Sequence, residues 1–401
     1  MFLGFLGNLN IRLQKAQYLD TFYKMLTSFD NKDVHYIITE EYLKKYENVW
    51  ANCLLDYDSF DFNLVNKTII DTCNYYTDLP VMGQLTSYNV DNSQFLRSQP
   101  LGIKENDIHC ILTWLNNNTL RSIAQENNIP IIHNELGALR PDLWKDSIYL
   151  DFKGVNHNTE FNERLENFLR IADRLPLLTH MELLNLVALD RKSVLDIYHN
   201  RDKSDKYGVA LQVARDSNLI LYNRGWHIRD VVNYAYNKYG KENILIKNHP
   251  HSLLQHIGND VANLEFSNDK NELLRRSKKI VTINSSMAFE ALLLGKDAEI
   301  LGDNTFKTLI DIKKDSNPRL FLKALNFAVV SYLVPSYLLF DKDYYNYRIE
   351  CKDEKELFNN GLHNWQMSKW KINNSGLING HLSELVSASI LLSSCCLESL
   401  I

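Results

Sequence analysis

Short apolar runs alternate with amphipathic segments along most of the 401-residue chain. In the first half these runs predict strands at 2–7, 34–39, 68–73, 107–114, 129–135 and 147–152. In the second half they predict strands at 207–213, 243–248, 263–267, 279–284 and 297–302. Helical patterns lie between several of them, for example at 118–128, 227–240 and 271–277. This alternation of strand and helix predicts an α/β fold built on parallel sheets.

The length of the chain and one charged segment predict two domains. A single hydrophobic core rarely serves a chain of 401 residues, so the chain is expected to divide. The segment NRDKSDK (200–206) is the candidate linker. We therefore predict one doubly wound domain over residues 1–200 and a second over residues 201–375, facing each other across a cleft. A helix or linker is expected at 376–401.

Composition limits the classes of partner and the cellular compartment that are expected for this protein. The net charge of −5 does not favour a nucleic-acid partner. The six cysteines show no CxxC spacing, which indicates a reducing cytoplasm and not a disulfide scaffold or a zinc site. The N-terminal apolar run is too short for a signal peptide, and no run is long enough to span a membrane. The apolar C-terminal stretch favours a packed helix over a membrane anchor, and further modules of a longer polypeptide remain open.

Polar side chains follow four of the predicted strands. The segments are NELGALRP (134–141), QVARDSN (212–218), KNHP (247–250) and NSS (284–286). In parallel α/β sheets, ligands bind beyond the carboxyl ends of the strands. These four strand ends are therefore the candidate binding and catalytic segments.

The NSS and KNHP segments each allow a structural and a functional interpretation. Ser285 and Ser286 either cap the following helix or, together with its amide groups, bind a phosphate. Glu290 either complements the helix dipole or reaches the hydroxyls of a ribose. His249 either bonds to the backbone at a strand end or donates to a phosphate oxygen, and Pro250 fixes the turn after it.

A metal site is not expected. His249, His251 and His256 have no nearby carboxylates at ligand spacing. The segments DYD (56–58) and DKD (341–343) resemble the DxD of metal-dependent transferases, but neither follows a predicted strand.

Two carboxylates, Glu135 and Asp216, each follow a predicted strand, one in each domain. Alone, Asp216 could form an Asx-turn and Glu135 could begin a helix. If both face one cleft, they suit acid/base or nucleophilic work at a sugar carbon, where paired carboxylates serve an oxocarbenium-like transition state.

The four motifs, in this order, resemble those of bacterial CMP-sugar-dependent transferases. NELGALRP is similar to the E-x-G-x-x-R stretch of the bacterial β-Kdo transferases, with Glu135, Gly137 and Arg140 matching. QVARDSN resembles their Q-x-x-x-D motif through Gln212 and Asp216. The HP and SS pairs complete the set. The chain thus resembles the WbbB-type module of glycosyltransferase family 99, which is related to the capsule enzymes KpsC and KpsS. The sequence departs from the capsule enzymes at Leu136 and Asn248, and it has Asp297 where many GT-B helices are followed by Pro.

The resemblance implies a GT-B-like pair of Rossmann-like domains and a retaining transfer of β-Kdo from CMP-β-Kdo. It implies that Asp216 and Glu135 are the catalytic carboxylates, in either order of roles. The donor-binding residues that it implies are His249, Pro250, Ser285, Ser286, Asn284, Gln212, Lys247, Arg140 and Glu290.

The resemblance also implies a metal-independent enzyme without a cofactor, in which the first domain receives a lipid-linked glycan acceptor of an O-antigen or a capsule. A cytoplasmic location follows, with peripheral membrane association left open. Two alternatives stay open. One is another nucleotide-sugar enzyme of the same fold, such as a sialyltransferase. The other is a non-catalytic polysaccharide-binding module.

Overall fold

A computed structural model provides the structure of the chain. It describes residues 2–6, 34–39, 67–70, 108–113, 116, 121, 124–212, 219, 222–249, 264–267 and 269–374. Each of the eleven predicted strands overlaps an observed one. The predicted C-terminal segment 376–401 lies outside the described residues.

The first sheet has seven strands in the order β12-β6-β5-β4-β1-β2-β3. They are β1 (Phe2–Leu6), β2 (Val34–Thr39), β3 (Lys67–Ile70), β4 (Cys110–Thr113), β5 (Ile131–Leu136), β6 (Ser147–Asp151) and β12 (Val334–Pro335). Strands β1 to β5 run parallel to one another. Their order, 3-2-1-4-5, is that of a doubly wound Rossmann-type sheet.

The edge of this sheet departs from the expected parallel arrangement. Strand β6 pairs antiparallel with β5, and β12 pairs antiparallel with β6. The connection from β5 to β6 is the loop 137–146, which is too short for the crossover helix that a parallel partner needs. The chain therefore turns back on itself at this edge.

The second sheet has five parallel strands in the order β11-β10-β7-β8-β9. They are β7 (Lys206–Ala210), β8 (Ile244–Lys247), β9 (Glu265–Phe266), β10 (Ser277–Thr282) and β11 (Asp297–Ile300). Numbered from β7, this is again the order 3-2-1-4-5, read from the opposite edge. The predicted α/β, GT-B-like fold with two doubly wound sheets is confirmed.

The helices of the described chain cover the sheets and form the C-terminal region. They are α1 (Phe161–Ile171), α2 (His180–Val187), α3 (Arg191–His199), α4 (Ile228–Tyr239), α5 (Lys270–Arg276), α6 (Met287–Leu293), α7 (Lys307–Lys314), α8 (Pro318–Asn326), α9 (Lys342–Glu350) and α10 (Glu354–Asn374). Their starts follow local sequence signals. Thr179 and Glu182 form a capping box at α2, and Asn317 caps α8 ahead of Pro318.

Aromatic side chains join the two sheets into one core. The Phe306 ring, which follows β11, stacks on Phe289 of α6 at 4.2 Å between centroids. From the first sheet's side, Phe161 meets Phe306 edge-on at 5.3 Å, and Tyr149 lies 6.1 Å from it. Such pairs contribute about 0.5–1.5 kcal/mol each beyond their buried area. This aromatic contact determines which face of the first sheet packs toward the second sheet.

After the second sheet, the chain returns to the first. A π-helix (Phe327–Tyr332) leads into β12, and α10 packs along it. The Tyr332 hydroxyl donates to Asp151 Oδ2 at 2.7 Å, which ties the π-helix to the end of β6. The predicted domain boundaries at 200 and 375 stay predictions. The predicted linker contains a short 3₁₀ helix (Arg201–Lys203), and β7 begins at its last residue.

Candidate functional site

The carboxyl ends of the second sheet bring Gln212 and Asn284 together. Gln212 follows β7 and Asn284 follows β10, and these neighbours mark the point where the strand order reverses. Gln212 Nε2 donates to Asn284 Oδ1 at 2.6 Å, and Gln212 Oε1 accepts from the Asn284 backbone N–H at 3.2 Å. Ligands of doubly wound sheets bind at this switch point. Two of the predicted donor-binding residues thus lie where such a ligand is expected.

Ser285 and Ser286 form the turn from β10 into α6, and both are half-buried. Ser285 Oγ accepts from the Met287 backbone N–H at 3.3 Å, while Ser286 makes no side-chain cap hydrogen bond. The N–H groups of residues 288–290 donate to the carbonyls of the two serines. In this short helix, the hydroxyls are therefore better placed than those amides to bind a ligand.

Lys247 and His249 lie at the end of the neighbouring strand. Lys247 is the last residue of β8, and its Nζ donates to the Asn248 carbonyl at 3.0 Å. Burial lowers the pKa of the Lys247 ammonium, and the positive charge of Lys270 adds to the shift. His249 is half-buried. Pro250 lies outside the described residues, so the turn expected there stays a prediction.

Glu135, on the first sheet, lies near the end of β5 on the face toward the second sheet. It is in register with Tyr149 of β6, and paired residues of an antiparallel ladder project from the same face. Tyr149 in turn packs against Phe306. Glu135 is 8% exposed, and its Oε1 accepts from the Leu136 backbone N–H at 2.8 Å.

The loop after Glu135 requires its glycine and is braced by its arginine. A Cβ atom at Gly137 would lie 2.2 Å from Ser147 Oγ and 2.8 Å from the Ser147 carbonyl carbon. Arg140 Nε donates to the Gly137 carbonyl at 2.8 Å, and Arg140 Nη2 donates to the Leu136 carbonyl at 3.2 Å. Both motif residues therefore have a structural role beside Glu135, whatever Arg140 also does for a donor.

Glu290 lies one turn into α6, but its carboxylate points into the contact between the sheets. The residue is 1% exposed. Its Oε2 accepts from the indole Nε1 of Trp144 at 2.7 Å and lies 3.3 Å from Lys270 Nζ.

Asp216 lies outside the described residues. Whether it meets Glu135 across the cleft therefore stays a prediction, as does the catalytic role of both.

Four polar side chains at the contact between the sheets were not predicted. Asn116 Nδ2 donates to the Tyr222 hydroxyl at 2.7 Å, and the His157 ring stacks on Tyr222 at 4.8 Å. His157 Nδ1 lies 3.1 Å from Asp303 Oδ2. Asn116, His157 and Asp303 each follow a predicted strand by a few residues. The strand-end rule that selected the other segments could therefore have found them.

Asp146 was also not predicted, because it precedes a strand instead of following one. Burial raises the pKa of its carboxyl to about 6, although the charges of Arg140 and Lys270 oppose the shift. A carboxyl that titrates near neutrality beside two cations is typical of functional clefts, and of structural ion networks as well.

Within the described part of the chain, no group of three or more His, Cys, Asp or Glu residues could hold a metal ion. None of the helices described there is both long and apolar enough to cross a membrane.

Two doubly wound sheets, with polar side chains at the carboxyl ends of their strands, define the class of the protein as one with a GT-B-like fold. Two family models then match separate parts of the chain. Residues 78–160 match the glycosyltransferase 99 family N-terminal domain, and residues 194–317 match the capsule polysaccharide biosynthesis protein family. These two parts of the chain contain the four motifs, so the resemblance found in the sequence is confirmed over these residues.

Individual proteins are similar over more limited extents. Protein FixF of Sinorhizobium fredii is 32% identical over 106 residues, which are 24% of this chain and 26% of that protein. The match thus spans about a quarter of that curated relative. A structure described as Thermosulfurimonas dismutans KpsC, beta Kdo 2,4 transferase, is 17% identical with a TM-score of 0.37, covering 56% of this chain and 81% of that one. A second, described as the KpsC beta Kdo 2,7 transferase of the same organism, is 12% identical with a TM-score of 0.39, covering 83% and 92%.

Proposed function

We propose that this chain is a retaining glycosyltransferase that moves β-Kdo from CMP-β-Kdo to an acceptor sugar of a bacterial surface polysaccharide. The observation that carries the proposal is the switch point of the second sheet. There the side chains of Gln212 and Asn284 form a hydrogen bond, and Ser285 and Ser286 follow Asn284 in the chain. The resemblance of the four motifs to β-Kdo transferases supports the choice of donor, and the two family matches support a glycosyltransferase of capsule polysaccharide synthesis.

The donor chemistry suits these side chains. CMP leaves as a phosphate, so the site needs stabilisation of negative charge more than a proton donor. Preorganised donors of this kind contribute about 3–4 kcal/mol each to lowering a barrier. The proposed donors are the hydroxyls of Ser285 and Ser286, the imidazole of His249 and the ammonium of Lys247, without a bound metal.

Retention requires either two displacements at the anomeric carbon or a front-face route, and we propose the two displacements. In the first, a carboxylate oxygen of Asp216 bonds to that carbon as its bond to the phosphate oxygen breaks, and CMP leaves. In the second, the acceptor hydroxyl oxygen attacks the same carbon, the bond to Asp216 breaks, and Glu135 takes the hydroxyl proton. The roles of the two carboxylates could be exchanged.

The acceptor and the location follow from the same proposal. A lipid-linked glycan would approach from the first sheet, which carries Glu135. The enzyme would act in the cytoplasm, at the inner face of the cytoplasmic membrane.

A donor screen tests the proposal. The protein is incubated with CMP-β-Kdo, CMP-sialic acid and UDP-sugars, and released CMP or UDP is measured. Release from CMP-β-Kdo alone, with CMP binding seen by calorimetry, is the expected result. Release only from CMP-sialic acid would make the chain a sialyltransferase, and absence of CMP binding would make it a non-catalytic module.

Asp216→Asn tests the mechanism. We expect this variant to lose transfer while CMP binding stays near the wild-type value, because the side chain would act on the sugar and not on the nucleotide. Turnover near the wild-type rate would remove Asp216 from the mechanism.

A further inference from the structure

Three side chains connect the first sheet to the second beside the proposed site, and we call them the Trp144 junction: Trp144, Glu290 and Lys270. Trp144 Nε1 donates to Glu290 Oε2 at 2.7 Å. Lys270 Nζ lies 3.3 Å from the same oxygen and 3.4 Å from the carbonyl oxygen of Pro141. The junction therefore contacts the 137–146 loop at two points, Trp144 and Pro141.

The junction lies between two segments whose relative position matters for the proposed reaction. On one side, Trp144 belongs to the loop 137–146, which begins directly after β5 and follows Glu135. On the other side, Glu290 lies one turn into α6, directly behind the Ser285–Ser286 turn. Lys270 begins α5, whose side of the sheet also carries Lys247.

Burial makes the Glu290 carboxylate dependent on its two partners in the junction. Trp144 is 0% exposed and Glu290 is 1% exposed, so the carboxylate depends on the indole N–H and the ammonium for its partners. Because Glu290 is 1% exposed and its Oε2 is bound within this contact, little of the carboxylate is open to a ribose hydroxyl. This geometry favours a role for Glu290 between the sheets over the ribose contact expected from the sequence.

We propose that Trp144, Glu290 and Lys270 are positioning residues that fix the Glu135 loop relative to the Ser285–Ser286 turn. The inference rests on the proposed function, since it concerns the geometry of that same transfer. A displacement of about 1 Å at a reacting group can reduce a rate about 100-fold, so a junction that sets this distance affects turnover without touching a substrate.

Two substitutions separate positioning from nucleotide binding. Trp144→Phe removes the indole N–H and keeps a ring, and Glu290→Gln keeps an acceptor for the indole while removing the charge that faces Lys270. We expect each to lower kcat for transfer about tenfold or more, while the Kd for CMP changes less than about twofold. Because both changes break the same junction, the kcat of the double variant should be only slightly lower than that of the more impaired single variant.

Matched controls come from the same fold. Trp365 is also 0% exposed and donates its indole N–H to the Val329 carbonyl at 2.8 Å, a hydrogen bond that includes none of the three junction residues. Glu354 is a buried carboxylate paired with Arg164 at 2.7 Å. We expect Trp365→Phe and Glu354→Gln to lower the Tm without lowering the kcat of the folded enzyme.

Hydrogen exchange over residues 137–146 gives a readout that does not need turnover. Exchange there should rise in Trp144→Phe and Glu290→Gln and stay unchanged in Glu354→Gln, whose partner Arg164 lies outside this loop. If the wild-type protein does not bind CMP, the proposed function fails, and the exchange result still decides whether the junction holds the loop. Unchanged exchange in both junction variants would overturn the inference. So would a loss of CMP affinity confined to Glu290→Gln, since that would make Glu290 a donor ligand.

Discussion

At the scale of single residues, burial decides which protonation state a side chain keeps. His133 lies on β5, two residues before Glu135, and is 0% exposed. Its Nδ1 lies 3.2 Å from the carbonyl oxygen of Asp151, the residue paired with it across the ladder. Burial lowers the pKa of the imidazole from 6.5 to about 4, and the charge of Arg121 adds to the shift. The folded chain therefore holds His133 neutral in weakly acidic solution.

This depressed pKa predicts a loss of stability in acid. Between pH 6.5 and about 4 the unfolded chain binds a proton at His133 and the folded chain does not, so stability falls as pH is lowered through that window. The loss attributable to this residue is about 3 kcal/mol at most. The raised pKa of Asp146 acts in the opposite direction over this window, so urea unfolding of the wild type and a His133 variant at pH 7.5 and pH 4.5 is needed to isolate it.

His133→Asn is the test variant, because its amide can still donate to the Asp151 carbonyl but does not titrate. We expect the free energy of unfolding of this variant to gain on that of the wild type by up to about 3 kcal/mol from pH 7.5 to pH 4.5, because the variant lacks the His133 contribution. His199→Asn changes an exposed histidine and should keep the wild-type dependence. If the free energy of unfolding changes with pH equally in wild type and His133→Asn, His133 does not have the depressed pKa.

At the scale of elements, the C-terminal segments of the described chain brace the edge of the first sheet. The π-helix presents the Val329 carbonyl to the Trp365 indole at 2.8 Å and the Tyr332 hydroxyl to Asp151. Helix α10 can lie this close because residue 361 has no side chain. A Cβ atom at Gly361 would lie 1.8 Å from the Val330 carbonyl oxygen.

Gly361→Ala should therefore separate α10 from the π-helix. Overpacking of this kind typically costs about 1–3 kcal/mol, and the rigid carbonyl places this case at the upper end. Urea unfolding would measure the loss. Asn359→Ala, at an exposed position of the same helix, should leave stability unchanged or slightly higher, because alanine is the stronger helix former. Equal stability of Gly361→Ala and wild type would contradict this packing.

At the scale of the whole molecule, two sheets of the same strand order share one aromatic core and meet through polar contacts. The sequence predicted both sheets because short apolar runs indicate strands that are buried. It also predicted the functional strand ends, because a turn alone does not require so many ionisable and hydrogen-bonding side chains. It did not predict that β6 turns back antiparallel. A loop of ten residues and a longer crossover look alike in an apolar pattern until the partner strand is known.

Removal of divalent ions should leave the proposed transfer intact. The negative charge on the leaving CMP would be met by side chains of the protein, including Lys247 and the two serines. We expect CMP release from CMP-β-Kdo to continue at an unchanged rate in EDTA, and CMP to raise the Tm with and without the chelator. A rate that falls in EDTA and returns with Mg²⁺ would contradict the metal-independent mechanism.

The candidate site divides between what the sequence determined and what the tertiary structure decided. The sequence alone placed Gln212, Asn284, Ser285 and Ser286 at strand ends, because the period of a strand and the polarity of its end are local properties. Only the packing of the two sheets decided that Glu290 turns inward to Trp144, a residue 146 positions away. A buried carboxylate takes whichever donors the folded chain brings to it, and no local pattern specifies a partner at that distance.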